Sequence, residues 1–158
     1  MKSPIKFGTD GWRAVIADAF TFDNLRQAAQ ATASHFKTVE NVEPGVFIGF
    51  DVRFLSNKFA RSAAEVFAAN GFQVYLMDRP YPTPYVSFEV QRRKLAGGVV
   101  ITASHNPPTF NGFKVKAHFG GSATPAITAK IEANLDQPVQ TDPEAHARRS
   151  EEHTSELQ

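Results

Sequence analysis

The chain of 158 residues contains no cysteine, which excludes disulfide bonds and thiolate metal sites. Its net charge is only +1, because 17 lysines and arginines oppose 16 aspartates and glutamates, so a polybasic surface for nucleic acid or membranes is not expected. No apolar run approaches the roughly 18 residues that a membrane-spanning helix needs. The first four residues, Met1-Lys2-Ser3-Pro4, lack the apolar core of a signal peptide. We therefore expect a cytoplasmic protein with neither nucleic-acid nor membrane partners.

What the chain does contain is a regular alternation of two segment types. Short β-branched or apolar runs predict strands, at 12–16, 46–50, 72–77, 98–102 and 113–117. Apolar residues at helical spacing predict helices, at 21–37, 57–70, 84–94 and 122–135. With 42% hydrophobic residues, the chain is long enough for a core of its own. This order predicts a single α/β domain with a mainly parallel sheet covered by helices.

The ends of these elements carry their own signals. Thr21 and Ser56 are predicted helix N-caps, and Gly71 is predicted to end the second helix. Asn111-Gly112 is predicted to form the turn before the last strand, whose alternating apolar and basic residues indicate a half-exposed strand. His35 is expected at the surface or at an edge.

One stretch carries the chemistry, Val99-Val100-Ile101-Thr102-Ala103-Ser104-His105-Asn106-Pro107-Pro108. It begins as a buried strand and breaks into small polar residues, which places the hydroxyl of Ser104 at the carboxyl end of that strand, where open α/β sheets bind ligands. A hydrolase serine would need the pattern Gly-x-Ser-x-Gly, and this sequence lacks it. The basic residues nearby, Lys114, Lys116 and a protonated His105, suit a phosphoserine better.

The run Thr-Ala-Ser-His-Asn-Pro at 102–107 resembles the active-site loop of the α-D-phosphohexomutase family, the phosphoglucomutase/phosphomannomutase group. Three further stretches resemble the family in the same order: Phe-Gly-Thr-Asp-Gly-Trp-Arg at 7–13, Gly-Phe-Asp-Val-Arg at 49–53, and Asn-Gly-Phe-Lys at 111–114. A departure is Ala14, where the family commonly has glycine. The resemblance covers about residues 1–140, which correspond to the first of the family's four domains and imply a mixed sheet with helices on both faces.

The resemblance also implies a reaction, the interconversion of hexose 1-phosphate and hexose 6-phosphate through a phosphoserine and a hexose 1,6-bisphosphate. It implies that Mg²⁺ binds the phosphate on Ser104. The catalytic residues that it implies are Ser104, His105, Lys114 and Arg13. The residues that it implies for phosphate binding or for support of the site are Thr9, Asp10, Asp51, Arg53, Asn106 and Asn111.

Two charged groups have alternative interpretations. Asp51 and Arg53 form either an ion pair that braces the serine loop or a direct contact with phosphate. The cluster Arg92-Arg93-Lys94 either interacts favourably with the C-terminus of its helix or forms a basic patch for a partner.

The resemblance predicts that residues 1–140 form domain I and that 141–158 are a linker and a non-native tail. The last ten residues, 149–158, resemble a translated sequencing-adapter oligonucleotide. The Asp-Gly-Asp-x-Asp-Arg metal loop of the family's second domain does not occur in this sequence, so we expect a fragment that is inactive alone and that normally packs against the missing domains. The alternatives are a phosphoglucosamine mutase fragment, against which Trp12 and Thr102 count, a stand-alone phosphosugar-binding module and a serine hydrolase.

Overall fold

The computed structural model describes residues 5–144, so the predicted tail at 149–158 lies outside the described residues. The elements follow one another in the order β1 (Gly11–Val15), α1 (Phe22–Phe36), β2 (Glu43–Phe50), α2 (Ser56–Ala69), β3 (Gln73–Leu76), α3 (Thr83–Arg92), β4 (Leu95–Ile101), β5 (Phe110–Ala117) and α4 (Pro125–Glu132). The predicted alternation of strands and helices is therefore confirmed.

The five strands form one mixed sheet in the order β1-β5-β4-β2-β3. Strands β3, β2 and β4 are parallel, whereas β5 runs antiparallel to both β4 and β1. The parallel strands β2 and β4 end side by side, because Phe50 pairs with Ile101. The loops that follow these two strands, which carry Arg53 and Ser104, therefore leave the sheet at the same edge.

Helices cover both faces of this sheet, as expected. A side chain on Gly97 of β4 would meet the ring of Phe36 in α1, whereas one on the next residue, Gly98, would meet Val86 and Val90 of α3. Because successive strand residues point to opposite faces, α1 and α3 lie on opposite sides. The α/β class is thus confirmed, with both faces of β4 completely buried.

An aromatic cluster on the α1 face anchors the edge strand β1. The ring of Trp12 stacks on Phe20 with centroids 4.6 Å apart, and Phe20 meets Phe59 of α2 edge-on at 4.9 Å. Since Trp12 faces this core, its neighbour Arg13 is directed to the other side of the sheet, where it is exposed.

The predicted Thr21 cap is confirmed, because its side chain accepts a hydrogen bond from the amide of Asn24. The prediction for Ser56 was wrong: Leu55 occupies the N-cap position with φ 62°, and Ser56 is the first helical residue. Gly71 follows the end of α2 with φ 88°, the left-handed conformation that glycine adopts without strain.

Four further predictions were wrong. Asn111-Gly112 does not form a turn, because both residues lie inside β5 and pair with β1. Strand β5 is not half-exposed, since all but two of its residues are buried. His35 is buried rather than at the surface. The last helix is also shorter than predicted, because it ends at Glu132.

No helix among residues 5–144 is both long enough and apolar enough to cross a bilayer.

Candidate active site

Ser104 lies in an exposed loop directly after β4, at the edge of the sheet where the parallel strands β2 and β4 both end. Its φ is 56°, a left-handed conformation that is uncommon for a residue with a side chain. The conformation is held locally: the Ser104 amide donates to Thr102 Oγ1 at 3.1 Å, and the Asn106 amide donates to the carbonyl of Ala103 at 3.1 Å. Such strained residues persist only where their surroundings determine the backbone, as at ligand sites.

Arg53 supplies most of those surroundings. Its Nη2 donates to the carbonyls of Ser104 at 2.8 Å and Asn106 at 2.6 Å. Its Nη1 donates to the carbonyls of Pro107 at 2.8 Å and Phe110 at 3.1 Å. One planar guanidinium thus fastens the whole serine loop. Of the two interpretations for this residue, bracing is the one that the structure displays.

Asp51 connects the two loops to β5. Its Oδ2 lies 3.4 Å from Arg53 Nε, and its Oδ1 accepts from the Arg53 amide at 2.9 Å and from Ser56 Oγ at 2.7 Å. Ser56 in turn accepts from Asn111 Nδ2 at 2.9 Å. Asn111 is completely buried, so its side-chain amide is held in place and anchors this chain of hydrogen bonds. The positions of Asp51 and Asn111 are therefore structural supports, and Ser56 is a support that the sequence did not identify.

Arg13 and His105 stand at the exposed side of the loop. Arg13 Nη1 donates to Asn106 Oδ1 at 2.9 Å, which joins β1 to the residue two positions after the serine. His105 Nδ1 lies 3.4 Å from Ser104 Oγ, a long contact between two exposed side chains. Arg13 thus contacts the loop through Asn106, and the imidazole of His105 lies beside the serine hydroxyl.

Lys114 lies on β5, opposite Val100 of β4 and Gly11 of β1. Its ammonium is 3.6 Å from Asp10 Oδ2, and both side chains are largely shielded from solvent, at 17% and 14% exposure. Lys114 is therefore not the freely solvated strand residue that its position alone would indicate. Thr9 precedes Asp10 in the bend before β1 and is exposed; within residues 5–144, no described hydrogen bond joins it to the loop.

Two further residues form a chain of hydrogen bonds to Asp10: Lys116, which the sequence indicated only as a basic residue near the serine, and Ser122, which it did not indicate. Ser122 Oγ donates to Asp10 Oδ2 at 3.1 Å, and Lys116 Nζ donates to Ser122 Oγ at 3.2 Å. Burial lowers the pKa of Lys116, the charge of Lys114 lowers it further, and Asp10 opposes both effects. The turn signal Gly120-Gly121 could have indicated that the chain returns to β5 at Ser122.

A complete magnesium site does not exist in the described part of the chain. No group of three or more histidine, aspartate or glutamate side chains is arranged to hold an ion there. The two nearby carboxylates are already engaged, Asp10 by Lys114 and Ser122, and Asp51 by Arg53 and Ser56. Since Mg²⁺ needs near-octahedral oxygen ligands, these residues do not fit the ion without donors from elsewhere.

The chain is similar to known proteins of one family. Residues 4–142 match the family model for phosphoglucomutase/phosphomannomutase, alpha/beta/alpha domain I. A probable phosphoribomutase of Schizosaccharomyces pombe is 43% identical over an alignment of 144 positions, which covers 85% of this chain and 24% of the relative. A phosphoglucomutase of Komagataeibacter xylinus is 38% identical over an alignment of 137 positions, which covers 81% of this chain and 24% of the relative.

The fold is also found in solved structures. The crystal structure of a Thermus thermophilus protein assigned as a phosphomannomutase matches with a TM-score of 0.81 and 41% identity, covering 90% of this chain and 32% of that one. The chain thus spans about a quarter of the length of the curated relatives that it matches.

Proposed function

The chain belongs to the phosphoglucomutase/phosphomannomutase family as its alpha/beta/alpha domain I, and from this premise we propose that Ser104 carries the phosphoryl group of a phosphohexomutase. The observation that supports the proposal most is the exposed Ser104 hydroxyl on a loop that Arg53 binds at three carbonyls, with a fourth bond to Phe110 at the start of β5. Phosphoryl transfer depends mainly on alignment and charge neutralisation, and a braced loop provides alignment.

In the proposed reaction, the P–O bond to Ser104 Oγ breaks while a P–O bond to the free hydroxyl of a hexose phosphate forms. The substrate hydroxyl gives up its proton, and Ser104 Oγ regains one. The product of this half-reaction is a hexose 1,6-bisphosphate. In the second half-reaction, the other phosphoryl group of the bisphosphate returns to Ser104, which leaves the isomeric monophosphate and a phosphorylated enzyme.

Each nearby side chain has a role in this proposal. Arg13 places a guanidinium beside the loop, where its planar fork suits two phosphate oxygens. His105, 3.4 Å from the serine oxygen, orients the hydroxyl or carries its proton. Lys114 contributes a partly shielded positive charge and takes part in proton transfer, and Asp10 positions it.

We propose that Mg²⁺ binds a phosphoserine oxygen at Ser104, with its other ligands supplied by a domain outside this chain. An ion bound there would supply positive charge to offset the charge of the transferred phosphoryl group. Two hydrophobic side chains next to Arg53, Val52 and Phe54, are 87% and 70% exposed, which favours a covering domain at this edge. We accordingly propose residues 1–140 as domain I of a longer cytoplasmic enzyme, with negligible mutase activity on its own.

The sugar is a separate question, because similar relatives are named for ribose, glucose and mannose phosphates. We propose hexose phosphates as substrates, with pentose phosphates tested in the same assay. The second candidate function is a stand-alone phosphosugar-binding module, which the exposed Arg13 beside Asn106 could also serve. A phosphoglucosamine mutase fragment remains the alternative within the enzyme class.

The test is a chimera in which residues 5–144 replace the matching domain of the Thermus relative. We expect it to interconvert glucose 1-phosphate and glucose 6-phosphate and to carry a phosphoryl group on Ser104, located by mass spectrometry of the peptide. Ser104→Ala should lose at least about a thousandfold in turnover, because no other group can take its covalent role. Lys130→Met, on the exposed side of α4, is the matched control and should keep full activity.

The 158-residue chain alone is measured in parallel, by turnover and by calorimetry with glucose 1-phosphate. Turnover by the chain alone would contradict the proposed dependence on further domains. If the chimera is phosphorylated but its Ser104→Ala variant is as active as the unaltered chimera, the proposed role of Ser104 is overturned. Tight sugar-phosphate binding by the chain, together with an unphosphorylated chimera, would instead favour the binding module.

A further inference from the structure

Lys116 is unusually buried for a lysine: it is only 8% exposed, although it lies near the end of β5, beside the site. It pairs with Gly98 of β4, on the sheet face that also carries Lys114 two residues earlier. A buried ammonium needs hydrogen-bond partners, since an unpaired buried charge is very costly. The partner that the structure provides for Lys116 is Ser122 Oγ at 3.2 Å.

The backbone holds Ser122 in this place. After β5, a turn with Gly120 at φ 81° reverses the chain, and the amide of Ala117 donates to the carbonyl of Gly121 at 2.9 Å. The backbone of Ser122 then pairs with that of Lys116 as an isolated antiparallel β-bridge. The serine hydroxyl therefore lies between the ammonium of Lys116 and the carboxylate of Asp10, to which it donates at 3.1 Å.

Asp10 is consequently shared between two ammonium groups. Its Oδ2 accepts the Ser122 hydroxyl, whose oxygen accepts from Lys116, and the same Oδ2 lies 3.6 Å from Lys114 Nζ. The contact with Lys114 is an ion pair at more than ordinary hydrogen-bond length. One carboxylate thus faces two cations, and Lys114 is only partly neutralised by it.

We propose that Lys116 is a positioning residue: through Ser122 it holds the Asp10 carboxylate, so that the ammonium of Lys114 stays available to a phosphoryl group on Ser104. This inference rests on the proposed function, because it assigns Lys116 to the same phosphoserine site. Without Lys116, Asp10 would pair more completely with Lys114, and the phosphate would lose part of the positive field around it. The lowered pKa of Lys116, caused by burial first and then by Lys114, agrees with two cations competing for one carboxylate.

The test uses the chain with phosphoserine inserted at position 104 during translation, so that it does not depend on natural phosphorylation. The pH midpoint of the ³¹P signal reports the charge near the phosphate, because nearby positive charge favours the dianion and lowers the midpoint. We expect Lys116→Met to raise this midpoint by roughly 0.3 to 0.7, as for a partly shielded charge contact. Lys116→Arg, which keeps a donor and the charge, should restore it.

A double-mutant cycle separates positioning from the direct field of Lys116. If Lys116 acts through Asp10, Lys116→Met should have no effect in an Asp10→Asn background, where no carboxylate competes for Lys114. Ser122→Ala should raise the midpoint in the same direction, because it removes the link but keeps both charges. Lys130→Met, on the exposed side of α4, should leave the midpoint unchanged. Amide spectra of each variant verify that it is folded.

The outcomes are distinct. A midpoint that responds to Lys114→Met but not to Lys116→Met overturns the inference and leaves the proposed function intact. An equal response to Lys116→Met with and without Asp10 also overturns it, since the charge then acts directly. If neither Lys114→Met nor Arg13→Met changes the pH midpoint, the proposed phosphoserine site itself is contradicted, and the role of Lys116 with it.

Discussion

Replacing Arg53 tests how the serine loop is held. In Arg53→Met, the carbonyls of Ser104, Asn106, Pro107 and Phe110 lose their donor, and Asp51 loses its cation. The side chain of Arg53 is only 14% exposed, so water cannot replace all of these bonds without rearrangement of the loop.

The expected cost follows from these contacts. Each hydrogen bond to a charged group contributes about 1.5–3 kcal/mol, but bonds to one loop are not additive. Removing one partner of a largely buried charged network costs about 3–5 kcal/mol. For a domain of this size, that corresponds to a melting temperature lower by roughly 6 to 20 °C. Arg53→Lys keeps the charge but not the planar fork, so its cost should be intermediate, about 2 kcal/mol.

Urea unfolding of the chain measures this cost, and an unchanged dependence on urea concentration verifies that the same transition is compared. Arg61→Met is the matched control, because Arg61 is exposed on α2 and its replacement should change the unfolding free energy by less than about 0.5 kcal/mol. If Arg53→Met were no less stable than Arg61→Met, the guanidinium would not be bracing the loop.

Two buried titratable groups give predictions about pH. Glu89 is 4% exposed and accepts from Arg92 and Arg93; burial raises its pKa, but the two arginines outweigh burial and hold the pKa below its ordinary value. Glu89→Gln should lower the free energy of unfolding by about 2 kcal/mol at neutral pH. This difference should be present above a pH of about 4.3 and lost as the pH falls through the folded pKa of Glu89. A difference in unfolding free energy that stays the same in acid would contradict this. Burial, then Lys130 and His118, lower the pKa of His35. The stabilisation by neutral His35 is therefore present above about pH 6.5 and lost as the pH falls through the folded pKa. We expect the free energy of unfolding of His35→Gln, measured with urea, to depend less on pH between about 7 and about 5 than that of the unaltered chain. Identical pH profiles of the two proteins would refute the assignment.

The Glu89 pairs engage two of the three residues in the basic cluster. Arg92 and Arg93 both bind the Glu89 carboxylate, at 2.8 and 2.7 Å. Arg93 also lies over the ring of Tyr75, 4.4 Å from its centroid. These two arginines therefore stabilise α3 and its attachment to β3.

Local patterns in the sequence determined the fold class and the place of Ser104 within it. Periodicity located each strand and helix, because a buried face imposes its spacing on the chain wherever the element lies. The Thr21 cap and the glycine after α2 were also predicted, since both depend on neighbouring residues only. The break after Ile101 placed Ser104 at the carboxyl end of a buried strand, where the structure has it.

Only the tertiary structure decided how the site is held together. Arg53 reaches carbonyls more than fifty positions away, and Ser56 binds Asp51 and Asn111 instead of capping its helix. Asn111-Gly112 resembles a turn locally, yet pairing with β1 makes it part of a strand. Lys116 fits an exposed strand position, but the return of the chain at Ser122 buries it. These contacts join residues distant in sequence, and their strength depends on burial, which no local pattern specifies.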